Sequence, residues 1–115
     1  MKRGEVFWAE WKPRSGAEQS GRRPVIIMSN DGFNLTPTWR SITVVPVSTS
    51  GTRTRRGPTA VPLPSGAAGL PRDSVAMCHQ VTTLDRTKLS ARAGVLSAGL
   101  LAAVAAGLKA ALDLD

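Results

Sequence analysis

The sequence predicts a mainly β fold with one helix, a small, strongly bent antiparallel β-barrel capped by a C-terminal helix. Several short β-type segments, separated by Gly, Pro and Ser turn signals, occupy most of the chain. A single segment of helical periodicity follows them. At 115 residues the chain is expected to form one domain, residues 1–115, around one modest core.

Three strands are predicted in the first half of the chain. Apolar and polar residues partly alternate from Glu5 to Trp11, which indicates a half-buried strand. The loop KPRSGAEQSG follows, and a loop of this length on a small scaffold tends to carry function. RPVIIMSN is the second strand, NDGFNLTPT a turn or single helical turn, and SITVVPVST the third strand. Pro46 in this third strand favours a sheet edge or a bulge.

The second half begins with a basic loop, SGTRTRRG, a short Pro-punctuated strand, PTAVPLPS, and a Gly-rich connection, GAAGLPR. DSVAMCHQVTTL is predicted to be one longer strand. Alternation would place Val75, Met77 and His79 on one face of that strand and Ser74, Ala76, Cys78 and Gln80 on the other.

The final segment is predicted to be a helix with Ser97 as its N-cap. Its apolar positions at helical spacing are Leu101, Val104, Leu108, Ala111 and Leu112. Only Lys109 is charged between Ser97 and Ala111, so we expect one face to pack on the sheet and another to meet a second chain.

Composition favours a polyanionic partner, with nucleic acid first, because the formal net charge is +7 and the sequence pI is near 11.1. The single Cys78 excludes an internal disulfide, and no Cys/His cluster has metal-ligand spacing. A reduced, cytoplasmic setting without a metal or other cofactor is therefore expected. The N-terminus lacks a signal-peptide apolar region and the C-terminal apolar run is too short to span a bilayer, so no membrane contact is predicted.

Two adjacent arginines precede a proline at the mouth of the second strand. Neighbours on a strand point to opposite faces, so Arg22 and Arg23 cannot both lie on the solvent side. One guanidinium is therefore expected at the rim of the barrel, where its planar fork suits a phosphodiester. An arginine that binds loop carbonyls or pairs with Glu18 is an equal alternative.

Other candidates carry weaker signals. Ser48, Thr49 and Ser50 could bind a phosphate oxygen, or they could make ordinary turn hydrogen bonds. His79 is the only histidine, which excludes a two-histidine ribonuclease mechanism and favours a packing or rim role. The basic loop could contact a phosphate backbone through Arg53, Arg55 and Arg56. The candidate base-stacking rings are Trp11, Trp39 and Phe33, whereas Trp8 is expected in the core.

The blocks RGEVFWAEWKPRSGAEQSGRRPVIIMSND, TVVPVSTS, DSVAMCHQVTTLDRTKL and GVLS, in this order before a helix, resemble the MazF/PemK toxins of type II toxin–antitoxin systems. The resemblance spans roughly residues 3–112. It implies an SH3-like barrel that forms a homodimer, cuts single-stranded RNA, usually mRNA, at a short sequence without a metal, and arrests growth. The implied products are 2',3'-cyclic phosphate and 5'-hydroxyl ends.

By motif, the family's catalytic arginine before proline is implied to be Arg23. The family's threonine at the close of the third strand matches Ser48 here, with Thr49 following, so both hydroxyls are candidates. Base recognition is implied for Glu18 and Gln19 beside Ala17, and for Ser74 and Gln80. The residue before that glutamine is often acidic in the family, whereas here it is His79, which predicts a different preferred base.

The resemblance also implies an acidic, partly disordered MazE-like antitoxin that lies across the dimer and blocks the RNA groove. Two other functions remain open on the residues. The same barrel could poison a protein target such as gyrase without catalysis, although the helix end ALDLD lacks the aromatic residues such a poison would need. It could also bind RNA without cleaving it, because serine replaces threonine at residue 48.

Overall fold

The fold was obtained as a computed structural model, which describes residues 1–11, 21–49 and 57–115. The strands in this part of the chain are β1 (Glu5–Trp11), β2 (Gly21–Ile27), β3 (Ser41–Ser48), β4 (Ala60–Leu63), β5 (Ser74–Met77), β6 (Thr82–Asp85) and β7 (Leu89–Val95). The α-helices are α1 (Asp31–Asn34) and α2 (Ala98–Leu112). Short 3₁₀ turns lie at Ala67–Gly69, Cys78–Gln80 and Arg86–Lys88.

The strands form one bent antiparallel sheet in the order β4-β5-β3-β2-β1-β7, and β6 also pairs with β3. This arrangement, with its C-terminal helix, confirms the predicted fold class. The hydrogen-bonded ladder does not close into a complete barrel over the described residues. The positions predicted for β1, β2, β3 and β4 and for the single helical turn α1 agree with the structure.

Two glycines allow the ends of the open sheet to approach each other. The 3₁₀ turn Ala67–Gly69 packs backbone to backbone on β7. A side chain at Gly69 would not fit there, since its Cβ would lie 2.1 Å from the Ala93 oxygen. A Cβ on Gly94 would similarly lie 2.4 Å from the Ala68 carbonyl carbon. Gly69 also has a φ of +75°, which favours glycine. The connection after β4 therefore lies directly against the far edge of the sheet.

The sheet is buried on both faces, which explains the continuous apolar run of β2. Ile26 belongs to the larger core cluster, beneath α2, whereas Val25 and Ile27 belong to a second cluster on the opposite face. All three side chains are fully buried. Burying one such side chain contributes roughly 1.5–3 kcal/mol, so β2 is held firmly from its fourth residue onward.

Helix α2 begins where the sequence predicts, since the Ser97 hydroxyl accepts a hydrogen bond from the Leu100 amide at 3.2 Å. One face packs on the sheet through Val104 and Gly107, both buried. At the C-terminus Leu112 and Leu114 are exposed. Among the described residues, no helix is both long and apolar enough to cross a bilayer.

The prediction of one continuous strand over DSVAMCHQVTTL is wrong. The segment is β5 and β6 with the 3₁₀ turn Cys78–Gln80 between them. β5 pairs with Val47 and Ser48 of β3, while β6 pairs with residues 41–44 of the same strand. Between these paired stretches the segment from β5 to β6 has more residues than β3, and the 3₁₀ turn accommodates them.

The edge interpretation of Pro46 is also wrong, because β3 has partners on both sides. On one side Pro46 is opposite Val25 of β2. On the other side it falls in the gap between the stretches paired with β6 and β5. A residue without an amide hydrogen is tolerated there because the ladder is already interrupted.

Candidate functional site

A cavity of about 400 Å³ opens where the start of β2 meets the end of β3. This volume is in the usual range for a small-ligand site. The residues that line it are Trp8, Arg22, Arg23, Pro24, Ser48, Thr49, Leu70, Pro71, Arg72 and Ser74. The cavity therefore brings together Arg23, Ser48 and Thr49, the three residues that the family resemblance marks as catalytic.

Arg22 and Arg23 follow Gly21 at the start of β2, before its buried part. Arg22 is opposite Glu10 and Arg23 opposite Ala9, so the register directs the two side chains to opposite faces, as expected. Arg23 is half-buried and precedes the buried Pro24. In the part of the chain that the structure describes, no hydrogen bond or ion pair engages the Arg23 side chain.

Arg22 is the guanidinium that has partners at the rim. Its central carbon lies 5.6 Å from the centre of the Trp8 ring, within range of a cation–π interaction. Its Nη2 also makes a long 3.5 Å contact with the Ser90 hydroxyl, which itself donates to the Trp8 carbonyl at 3.0 Å. The expectation that Trp8 is a core residue is wrong: the ring is only half-buried and lines the cavity.

The end of β3 supplies the hydroxyl groups of the site. Ser48 is the last residue of this strand, paired with Val75 of β5, and Thr49 follows it directly. Ser48 is half-buried and Thr49 is exposed. Hydroxyls at this position can donate a hydrogen bond to a phosphate oxygen in the cavity.

The third wall comes from the segment that enters β5. Leu70 is buried, and after it Pro71, Arg72 and Ser74 line the cavity. The buried Ser74 hydroxyl donates to the Arg72 carbonyl at 2.9 Å, so it supports the wall. Sequence reasoning did not single out Arg72. The available signal was a basic residue immediately before the DS pair.

The charge of the cavity is one-sided. Its lining, as far as the structure describes it, includes three arginines and no carboxylate. Two acids outside the lining are paired with other arginines, Glu5 with Arg92 and Asp85 with Arg40. No group of three or more His, Cys, Asp or Glu side chains is placed to hold a metal ion in residues 1–11, 21–49 and 57–115. The arrangement is suited to bind and stabilise an anion.

Several predicted site residues are elsewhere. His79 and Gln80 are exposed in the 3₁₀ turn after β5 and do not line the cavity. Phe33 and Trp39 stack on each other, with ring centres 4.5 Å apart, away from the cavity lining. The remaining candidates, Glu18, Gln19, Arg53, Arg55 and Arg56, lie outside the described residues, as do Ala17 and Ser50.

A second arginine site stabilises the loop after α1. Arg86 donates through Nε to the Trp39 carbonyl at 2.9 Å. Its Nη2 donates to the carbonyls of Phe33, Asn34 and Thr36 at 2.9–3.1 Å. Sequence reasoning gave no signal for this role, because the four acceptors are backbone groups about 50 residues earlier in the chain.

Beside it, Asp85 receives hydrogen bonds from the Thr87 amide and hydroxyl and from Arg40. These contacts, with the Thr87 amide contributing most, lower the pKa of Asp85 to about 2. The carboxylate therefore stays ionised to a lower pH than an ordinary aspartate.

Comparison with known proteins identifies the family. Residues 2–112 match the family model described as PemK-like, MazF-like toxin of type II toxin-antitoxin system. "Endoribonuclease MazF6" of Mycobacterium tuberculosis is 38% identical over 115 residues, which are 99% of this chain and 98% of that protein. "Endoribonuclease EndoA" of Bacillus subtilis is 35% identical over 91 residues, covering 78% of this chain and 75% of the relative.

Solved structures show the same fold. The "Mycobacterium tuberculosis toxin MazF-mt6" superposes with a TM-score of 0.78 and 27% identity, over 96% of this chain and 98% of that one. MazF from Deinococcus radiodurans gives a TM-score of 0.78 and 25% identity, over 99% and 97% of the two chains. The chain belongs to the PemK-like, MazF-like family of type II toxins, as the sequence motifs predict.

Proposed function

We propose that this chain is a toxin that cleaves single-stranded RNA, chiefly mRNA, at a short sequence and thereby arrests growth. The family and the relatives named endoribonuclease support this function. The observation that carries it is the cavity, in which Arg23 lies with Ser48 and Thr49 in a described lining without carboxylates. A cationic site with hydroxyl donors fits a phosphodiester.

The reaction we propose is attack of the RNA 2'-hydroxyl on the adjacent phosphorus. The new 2'-O–P bond forms, the bond from phosphorus to the 5'-oxygen breaks, and the 2'-hydroxyl proton is lost while the leaving oxygen gains one. The products are a 2',3'-cyclic phosphate and a 5'-hydroxyl. A guanidinium stays charged in water, so Arg23 serves as a cation that stabilises the phosphorane, and not as the base.

Ser48 and Thr49 act beside Arg23 as hydrogen-bond donors to a phosphate oxygen. Ser48 is the last residue of β3, where pairing with Val75 holds its backbone in place, and Thr49 follows it directly. Arg22 adds positive charge at the rim through its position over Trp8. Positioned donors that strengthen as charge develops accelerate such a reaction without requiring a metal ion.

We propose that the toxin is a single-domain cytoplasmic protein that forms a homodimer and is inhibited by an acidic antitoxin. A net charge of +7 attracts both RNA and an acidic chain. Leu112 and Leu114 are exposed at the end of α2, which supports an apolar contact between protomers there. A structure of similar fold, 21% identical with a TM-score of 0.78, is described as an endoribonuclease in complex with its cognate antitoxin.

The deciding experiment maps new 5' ends after a long defined RNA is incubated with the purified protein in EDTA. Discrete cuts with 5'-hydroxyl ends are expected. Arg23→Ala should reduce cleavage by roughly 100-fold or more, the usual cost of removing a transition-state donor. The control is Arg3→Ala, which loses the same charge at an exposed position outside the cavity.

Two rival functions would give other results. An RNA-binding barrel without catalysis would bind the RNA and leave it intact. A gyrase-directed poison would neither bind nor cut it, and a topoisomerase assay would detect its effect. The relatives named endoribonuclease do not favour that second function.

A further inference from the structure

The cavity has more positive charge than one phosphate needs. Three arginines contribute to its described lining, and the same lining has no acid to neutralise them. Like charges around one cavity repel each other, and a bound anion relieves that repulsion. A volume of about 400 Å³ leaves room for more than a single phosphate group.

Arg72 belongs to a different segment of the cavity lining from Arg22 and Arg23. Hydrogen bonds to its own carbonyl and to the preceding one hold its backbone. The Ser74 hydroxyl donates to the Arg72 carbonyl at 2.9 Å. One residue earlier, the Pro71 carbonyl accepts from the Ser65 hydroxyl at 3.1 Å. The segment that bears Arg72 is therefore fixed against the start of β5.

The Arg72 side chain, in contrast, is exposed and has no polar partner among the described residues. The adjacent carboxylate, Asp73, accepts a hydrogen bond from the Ser65 amide at 2.8 Å. This hydrogen bond directs the Asp73 carboxylate towards the backbone of Ser65, and no ion pair forms between Asp73 and Arg72. A fixed backbone with a free guanidinium is a suitable arrangement for binding an external anion.

We propose that Arg72 binds the phosphate next to the scissile one, so that the cavity holds two consecutive phosphates of a single strand. The inference rests on the proposed function, in which Arg23 acts on the scissile phosphate. Arg72 is then a binding residue that fixes the register of the strand. Its contribution is to affinity and positioning, because its target does not gain charge during the reaction.

The test uses a short RNA with the sequence that the wild-type protein cuts, carrying a 2'-deoxy sugar at the cleavage site so that it binds without reacting. Each phosphate is replaced in turn by an uncharged methylphosphonate, and binding is measured by fluorescence anisotropy. Arg72→Ala should weaken binding of the unmodified probe roughly tenfold, as expected for a charge-assisted hydrogen bond. Arg3→Ala is the control for charge alone.

The decisive result is coupling between the protein variant and one phosphate. For the wild type, a methylphosphonate adjacent to the cleavage site should weaken binding roughly tenfold, whereas Arg72→Ala should be indifferent to the same replacement. The plot of log affinity against log salt should be less steep by about 0.7 in Arg72→Ala, because one phosphate contact is lost. With a cleavable substrate, KM should rise far more than kcat falls.

Three outcomes would overturn the inference. If Arg72→Ala matches Arg3→Ala on RNA that the wild type cuts, Arg72 has no special role and only the inference fails. If the coupling falls on the scissile phosphate, the assignment to a neighbour is wrong. If the wild type neither binds nor cuts RNA, the proposed function itself fails and the inference with it.

Discussion

The chain contains two groups of arginines that differ in what they contact. Arg86 donates to four backbone carbonyls and Arg40 forms a two-bonded ion pair with Asp85. Around the cavity, Arg23 and Arg72 have no polar side-chain partner in the described residues. Folding can account for the first group, whereas the second group keeps its donors available for a ligand. The comparison therefore separates structural from functional arginines.

The largest effect on stability is expected at Arg86. Arg86→Ala leaves four carbonyls without their common donor and should lower the free energy of unfolding by about 2 kcal/mol. Arg86→Lys should recover little, because an ammonium cannot reproduce the planar fork. Urea unfolding checks both values. Arg72→Ala is the matched control and should stay within about 0.5 kcal/mol of the wild type; equal losses would contradict the division into two groups.

Arg22 is intermediate, since it lines the cavity and also contacts Trp8. A double-mutant cycle of Arg22→Gln and Trp8→Leu, followed by urea unfolding, should give a coupling energy of about 0.5–1 kcal/mol. Arg22→Lys, which keeps the cation, should retain part of this coupling. A coupling of zero would move Arg22 into the same group as Arg23 and Arg72.

The smallest effect is expected at Asp85 and depends on pH. Its folded pKa of about 2 is below the ordinary value of 3.8, so the unfolded chain binds more protons in acid. The stabilisation is therefore complete above about pH 5 and is lost as the pH falls towards 2. Asp85→Asn should lower the melting temperature by less than about 4 °C at pH 7. The difference from the wild type should shrink in acid, and a constant difference would show that the charge is unimportant.

The sequence predicts local structure well where the signal is local. Alternation identifies β1, the Ser97 hydroxyl marks the start of α2, and the turn residues after β2 indicate α1. The interruption between β5 and β6 has no such signal, because it results from how both strands pair with β3. The same pairing explains the interior position of Pro46, which a local rule assigns to a sheet edge or a bulge.

The site residues also divide into those with a local sequence signal and those placed by long-range packing. Arg23 and Ser48 could be found because motif and strand position mark them, and both line the cavity. Arg72 could not, since its place depends on the close contact of Gly69 with Ala93, which brings the connection after β4 across the molecule. Ser74, for which the family motif implies base recognition, lines the cavity, and its hydroxyl donates to the Arg72 carbonyl. Long-range packing therefore determines what local patterns cannot indicate.

The contact between α2 and the sheet contains a natural reporter of helix movement. Cys78 is the one cysteine of the chain, it is fully buried, and a Cβ on Gly107 of α2 would lie 2.7 Å from its sulfur. Burial raises the pKa of the Cys78 thiol to about 11, so a thiol reagent meets neither an accessible sulfur nor a thiolate at neutral pH. The rate of labelling therefore measures how often the helix leaves the sheet. An unmodified protein can thus report whether RNA or an inhibitor tightens that contact.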